Sequence, residues 1–389
     1  MTISYYNTAI HNAASSGNID KIKQLLQCDD VINCISKDGL TALHVAAFKG
    51  NLDVAEYLVD NGINIHAHAA RNGWIASHMA YKYGNDGCNC LHVASYQGHI
   101  EIVKYLIGQG IRINMRTNDG SSALHIASTK GHIEIVKYLV EKCIKIDGRT
   151  KDGSTALFRA ATEGHIEIVK YLVERKCNIH TSNIVTGRNA LHQASSKGFD
   201  NVVEYLLEKG SDILAIDDDY DWTALHIASV MGHYKVVEII VEYCITNNNI
   251  NDAVYINVIN AIDESDNSAL HLASKFRHIE IVKYLVGKGI NLNDANDDKN
   301  TALHLATWNC DIEIVKYLVE KGINLDDVNY DNNTALHLAS YNCHKEIVMY
   351  LVQNGINLDV VNDDRNTAFD LVADKGDFLL THYFLEIMR

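Results

Sequence analysis

The chain has 389 residues, of which 47% are hydrophobic and 21% charged, and it contains no proline. This composition excludes a disordered chain, and no apolar run reaches the roughly 18 residues that a membrane span needs, which predicts a soluble protein. The charge is unevenly distributed. Residues 1–195 hold 20 Lys and Arg against 17 Asp and Glu, a net charge of +3, whereas residues 196–389 hold 14 against 32, a net charge of −18. The acidic second half should repel nucleic acid and anionic membranes and attract basic partners.

A phrase of the type Thr-Ala-Leu-His recurs along the whole chain. The apolar residue of each copy is Ile10, Leu43, Leu91, Leu124, Leu157, Leu191, Leu225, Leu270, Leu303, Leu336 and Phe369. The usual spacing is 33 or 34 residues, and two longer spacings of 48 and 45 residues indicate insertions near 63–90 and 245–262. A fixed period of this length is the signature of a repeat architecture with eleven units.

Each unit is predicted to contain two short helices and a turn. A residue that favours helix N-caps stands two places before each marked residue: Thr8, Thr41, Asn89, Ser122, Thr155, Asn189, Thr223, Ser268, Thr301, Thr334 and Thr367. Gly131 illustrates how the first helix ends, and Ile135, Val136 and Leu139 form the apolar stripe of the second. The Asn-, Asp- and Gly-rich stretch that follows suits a projecting hairpin turn, here called a finger.

The Thr-Ala-Leu-His-x-Ala and Gly-His-x-Glu-Ile-Val phrases and the Gly-Ile-Asn ending resemble the ankyrin repeat. The resemblance implies an all-α ankyrin-repeat solenoid of stacked helix-turn-helix units with projecting hairpin fingers, forming a single domain over residues 4–389 with capping repeats at both ends. It also implies that first helices and fingers line a concave face that binds partners. The sequence departs from the family in having Ala, and once Cys90, where the family favours Pro at the first helical residue.

The predicted function is a non-enzymatic scaffold for protein–protein interaction. The sequence contains no Gly-x-Ser-x-Gly, P-loop, His-Glu-x-x-His or Gly-x-Gly-x-x-Gly motif, and we expect no cofactor, nucleic acid or membrane partner. The Asn-, Ile-, Lys- and Tyr-rich composition resembles ankyrin proteins of giant amoeba-infecting DNA viruses. We therefore expect a monomer that lies in the cytoplasm, including the cytoplasm of a host cell, and that binds a host protein. The alternative is a structural component of a virion.

Metal binding is the alternative from a different class. The first insertion holds a cluster of residue types that bind zinc, namely His66, His68, His78, Cys88 and Cys90, and His92 follows directly after it. None of its pairs has the usual spacing of zinc cysteines, so a degenerate half-repeat is the other interpretation, and no metal site is predicted. The remaining histidines of the motif and of the second-helix starts are predicted to be structural, because members of a ladder point alike and do not converge.

The second insertion has three interpretations. Ala253, Ile256, Val258 and Ile259 are compatible with an extra short helix. An extended finger packed on its neighbours is favoured over this helix and over a protrusion that contacts a partner.

Partner contacts are expected just before the helix cap and at the end of the first helix, because the family uses these positions. Aromatic residues in these registers are not needed to pack the stack, and acidic residues crowd the fingers of the second half. The predicted partner-binding residues are Trp222, Phe276, Trp308, Tyr341, Asp219, Asp221, Asp266, Asp297, Asp298, Asp331 and Asp364. They would hold a Lys/Arg-rich segment across residues 217–364; the alternatives are that the aromatic rings pack on fingers and that the acids maintain solubility.

Overall fold

The computed structural model describes residues 2–27, 31–36, 39–69, 87–247 and 252–388, with side chains from residue 9 onward. Its described residues contain 23 helices and one isolated bridge, between Ile262 and Ser268, which confirms the all-α prediction. The chain divides into two compact units, Met1–Gln193 (unit 1) and Ala194–Arg389 (unit 2). No helix in the described ranges is both long enough and apolar enough to cross a bilayer.

The helices of unit 1 alternate as first and second members of pairs. The first helices are α1 (Thr2–Ser16), α3 (Ala42–Lys49), α5 (Cys90–Gln97), α7 (Ala123–Lys130), α9 (Ala156–Thr162) and α11 (Ala190–Lys197), the last of which runs past the unit boundary. The second helices are α2 (Ile19–Leu25), α4 (Leu52–Asp60), α6 (Ile100–Gly108), α8 (Ile133–Glu141) and α10 (Ile166–Glu174).

Unit 2 continues the same alternation. Its first helices are α13 (Ala224–Met231), α16 (Ala269–Lys275), α18 (Ala302–Trp308), α20 (Ala335–Tyr341) and α22 (Ala368–Lys375). Its second helices are α12 (Asp200–Glu208), α14 (Tyr234–Thr246), α17 (Ile279–Gly287), α19 (Ile312–Glu320), α21 (Lys345–Gln353) and α23 (Phe378–Ile387), and α15 (Asp252–Ile259) lies in the second insertion. Together the two units hold the eleven helix pairs that the repeat predicts.

One repeat shows why the motif folds in this way. Ser122 has an extended backbone at the N-cap of α7, and its N–H donates to Nδ1 of His125 over 3.2 Å. The other ring nitrogen, Nε2, donates to the carbonyl of Gly148 on the following finger over 2.8 Å. This confirms that the motif histidine is structural, and it shows that the ring joins its own helix cap to the following finger. Leu124 of α7 and Leu139 of α8 are fully buried, each stabilising the stack by about 2 kcal/mol.

The histidines that start second helices join neighbouring repeats. His165 donates from Nε2 to the carbonyl of Thr129 at the end of α7, in the preceding repeat, over 3.1 Å. Gly131 ends α7 with a φ of 80°, and a Cβ built on it would lie 2.7 Å from Cε1 of His165. Glycine is therefore required here both for its left-handed backbone and for the close approach of the imidazole ring.

Two sequence predictions fail. Thr8 is not an N-cap, because α1 already begins at Thr2 and no glycine interrupts residues 2–8. The favoured extended finger of the second insertion is wrong, since α15 forms the short helix, with Val258 and Ile259 buried and Ile256 53% exposed. Tyr255 anchors this helix by donating from its hydroxyl to the carbonyl of Lys288 over 2.5 Å. In the first insertion, residues 70–86 lie outside the described residues.

Candidate functional site

The fingers of unit 2 stack in register. Each finger is closed by a backbone hydrogen bond, such as that from Asn329 N to Asn333 O over 3.0 Å. Neighbouring tips are joined by one further backbone bond. These bonds run from Glu264 N to Tyr220 O, Asp297 N to Ser265 O, Tyr330 N to Asp298 O, and Asp363 N to Asp331 O, at 2.8–3.1 Å. The fingertips 217–222, 263–267, 296–300, 329–333 and 362–366 therefore follow one edge of unit 2.

All seven predicted acidic contacts lie exposed on these fingertips. The exposed carboxylates are those of Asp219, Asp221, Asp266, Asp297, Asp298, Asp331 and Asp364. Asp297 has a raised pKa because its carboxyl shares a hydrogen bond with the Asp266 carboxylate and lies beside its negative charge. Adjacent fingertips thus bring carboxylates together. The edge also carries Lys299 and Arg365, so it is not uniformly acidic.

Two other acids of these fingers are structural. Asp217 is buried, and its Oδ1 accepts from the backbone N–H groups of Tyr220 and Trp222 over 3.1 and 3.0 Å. Asp263 is also buried, and its Oδ1 accepts from the N–H of Asn267 over 2.8 Å. These carboxylates shape the tips and are not available to a partner.

The two units differ in the residue that takes the left-handed backbone at each fingertip. In unit 1 the tips use glycine: Gly39, Gly87, Gly120, Gly153 and Gly187. In unit 2 residues with side chains adopt the same positive φ: Asp221, Asp266, Lys299, Asn332 and Arg365. Each such residue costs about 1 kcal/mol relative to glycine. Sequence reasoning missed this change, although the loss of glycine at one repeated position is its signal.

An asparagine ladder holds the base of the last three fingers. Asn329 donates from Nδ2 to Oδ1 of Asn300 over 3.3 Å, and Asn362 donates to Oδ1 of Asn333 over 3.0 Å. The Oδ1 of Asn329 accepts from the N–H of Asn333 over 2.9 Å. The positions just before the caps are therefore partly used within the fold.

A groove of about 510 Å³ lies between these fingers and the first helices of unit 2. We call it the Trp308 groove, and it is lined by Lys275, Asn300, His304, Leu305, Trp308, Asn329, Asp331, Asn333, His337, Leu338, Tyr341, Asn362, Asp364 and Leu371. Trp308 and Tyr341 are 51% and 47% exposed, and their rings are stacked with centroids 6.5 Å apart and planes 12° apart. The volume lies within the range of ligand sites in proteins.

The other two predicted aromatic contacts lie elsewhere. Trp222 stacks on Tyr220 with centroids 4.7 Å apart, and its indole N–H donates to Oδ2 of Asp263 over 3.0 Å. It therefore packs on a finger, the alternative that the sequence left open. Phe276 is 44% exposed at the C-cap of α16, and Lys275, one residue earlier, lines the groove instead.

A lysine of the chain already covers one aromatic ring of the groove. The ammonium of Lys375, in the last turn of α22, lies 3.8 Å from the centroid of Tyr341. The same arrangement occurs in unit 1, where Lys130 lies 4.2 Å from the centroid of Tyr96. A lysine at the end of a first helix favourably faces the helix dipole while its cation contacts the ring.

The candidate metal cluster does not assemble in the described part of the chain. His68 Nδ1 lies 2.6 Å from the carbonyl of Gly87, and His92 accepts the N–H of Asn89 at Nδ1 over 3.2 Å. Burial lowers the pKa of His92 to about 4 and raises that of Cys90 to about 12. Among the described residues, no three His, Cys, Asp or Glu side chains are placed to hold a metal ion, which disfavours this alternative; His78 lies outside them.

Comparison with protein families agrees with the stacked helix pairs and fingers. Models of ankyrin repeats match residues 3–69, 91–183, 175–253 and 242–329, and a single ankyrin repeat matches residues 331–363. The chain belongs to the ankyrin repeat family. Ankyrin repeats are generic modules for protein–protein interaction, and the family is generally non-enzymatic.

Curated ankyrin repeat proteins are similar to parts of the chain. The Notch-regulated ankyrin repeat-containing protein of Homo sapiens is 38% identical over 72 residues, which are 18% of this chain and 62% of that protein. Protein B of the same name from Danio rerio is 34% identical over 84 residues, 21% of this chain and 75% of the relative. An ankyrin repeat protein of Fowlpox virus (strain NVSL) is 44% identical over 50 residues, 13% of this chain and 36% of the relative. The chain thus spans less than two thirds of the length of the human protein.

Proposed function

We propose that this ankyrin repeat protein is a non-enzymatic scaffold whose unit 2 binds a Lys/Arg-rich segment of a partner protein. The observation that carries the proposal is the Trp308 groove, which is lined both by two exposed aromatic rings and by Asp331 and Asp364 of the fingertips. Large exposed aromatic side chains are favoured anchors at protein interfaces, because they bury much apolar area with little loss of side-chain entropy. We further propose that the protein acts as a monomer in the cytoplasm, including that of a host cell.

Charge supports the choice of partner. Residues 196–389 carry a net −18, and the exposed fingertip carboxylates extend this field along the edge of the groove. Such a field increases the rate at which a cationic segment encounters the groove more than it strengthens the final complex. The buried carboxylates of Asp217 and Asp263 are hydrogen-bonded within their own fingers, so the exposed ones are the groups that a partner meets.

Titration of a fluorescent Lys/Arg-rich peptide with the full chain tests this proposal. Affinity should fall steeply as salt rises and the screening length shortens from about 10 Å to about 3 Å. Changing Trp308 and Tyr341 to alanine should weaken binding by roughly tenfold or more, as expected for interface anchors. Tyr96→Ala is the matched control, because Tyr96 has the same helix-end position in unit 1 and also contacts a lysine.

Circular dichroism should show that the substituted proteins remain folded. Binding that is insensitive to salt, or that maps to residues 1–190, would contradict the proposal. Self-association of the chain at low concentration would favour the structural alternative.

A further inference from the structure

The Trp308 groove has charges of opposite sign on its two walls. On the finger wall are the carboxylates of Asp331 and Asp364, which form no ion pair within the described residues. On the wall formed by the helix ends, Lys275 lines the groove, and Lys375 lies over the ring of Tyr341. Leu305, Leu338 and Leu371 also line the groove and give it apolar surface.

The lysines change what the aromatic rings can bind. One face of Tyr341 is covered by the Lys375 ammonium at 3.8 Å, and the ring also stacks on Trp308. A partner cation placed beside Tyr341 would lie close to the Lys375 ammonium and be repelled by this like charge. The rings therefore offer apolar contact, whereas the ammonium groups beside them attract anions.

We propose that the Trp308 groove binds an extended dipolar segment, with basic side chains toward Asp331 and Asp364 and acidic side chains toward Lys275 and Lys375. In an extended chain, successive side chains point to opposite sides, so alternating basic and acidic residues match the two walls. This inference rests on the proposed function of unit 2 and specifies the chemistry of its partner. Because residues 196–389 are strongly acidic, the segment carries more basic than acidic residues overall.

Three labelled peptides separate this inference from general attraction of cations. The first, the alternating peptide, alternates Lys and Glu around a central Leu, with one more Lys than Glu. The second, the block peptide, has the same composition with Lys and Glu in separate blocks. The third, the all-Lys peptide, replaces every Glu of the first with Lys. Fluorescence anisotropy with the full chain at low salt measures each Kd. The alternating peptide should bind about fivefold more tightly than the block peptide, since each matched charge contributes modestly.

Replacement of Lys275 and Lys375 tests the second wall. The double variant Lys275→Gln, Lys375→Gln should weaken binding of the alternating peptide about fivefold and strengthen binding of the all-Lys peptide. The matched control is Lys130→Gln, which removes the corresponding lysine over Tyr96 in unit 1 and should change neither affinity. Glutamine retains high helix propensity, so the fold should persist, and circular dichroism checks this.

The outcomes distinguish the two proposals. The dipolar segment is refuted if the alternating and block peptides bind equally. It is also refuted if the all-Lys peptide binds most tightly and the Lys275→Gln, Lys375→Gln variant binds that peptide with unchanged affinity. In either case the basic segment of the proposed function stands. If none of the three peptides binds to unit 2, both proposals fail.

Discussion

Acid should destabilise this protein through its buried motif histidines. Burial lowers the pKa of His44, His92 and His125 in unit 1 to about 4, although a carbonyl bonded to each ring opposes the shift. The unfolded chain binds a proton on each ring near pH 6.5, so between pH 6.5 and 4 it binds more protons than the folded chain does. The stability contribution is therefore present above pH 6.5 and is lost as the pH falls toward 4.

The expected size of the effect follows from proton linkage. A histidine with a folded pKa of about 4 and an unfolded pKa of about 6.5 loses roughly 2 kcal/mol of stability between pH 7 and pH 5. The three histidines of unit 1 together lose about 5 to 6 kcal/mol, which is a large part of the stability of an ordinary domain. Urea denaturation followed by circular dichroism at pH 7, 6 and 5 measures this loss.

Two variants give this measurement its control. His125→Gln should reduce the loss of stability between pH 7 and pH 5 by roughly 2 kcal/mol, because one linked group is removed, whatever it does to stability at pH 7. Ser128→Ala, in the same helix α7, should leave the dependence unchanged, because it removes no titratable group. A loss below about 1 kcal/mol between pH 7 and pH 5 in the unsubstituted chain, or an unchanged slope in His125→Gln, would refute the reasoning.

Three substitutions in the repeats should change stability by predictable amounts. Ser128 lies in α7 with a fully buried hydroxyl that has no hydrogen-bond partner among the described residues, so Ser128→Ala should raise the free energy of unfolding by about 1 kcal/mol; a decrease would show that the hydroxyl is satisfied. Gly131→Ala should lower it by about 2 kcal/mol or more, because the backbone is left-handed and the ring of His165 is too close; a neutral result would contradict this. Cys310→Gly should raise it by about 1 kcal/mol, since exposed Cys310 has a φ of 56°, and a lower urea midpoint would count against the strain argument.

The sequence alone was sufficient to predict the repeat and most of its local structure. The N-cap residues, the helix-ending glycines and the apolar stripes act over one or two helical turns, so their spacing predicts the helix pairs directly. The structural role of the motif histidine was also predictable, as was the strongly acidic character of the second half. Thr8 shows the limit of this local reasoning, because a residue type that favours N-caps does not end the preceding helix by itself.

The groove depended on contacts between repeats, which local patterns do not determine. Sequence reasoning placed Phe276 in the register of Trp308, but Phe276 follows Leu270 by six residues whereas Trp308 follows Leu303 by five. Lys275 therefore holds that register and lines the groove. Trp222 turned to the neighbouring finger because Asp263, 41 residues away, accepts its indole N–H. The contact of Lys375 with Tyr341 likewise joins separate repeats, so only the stacked structure decides which rings a partner can reach.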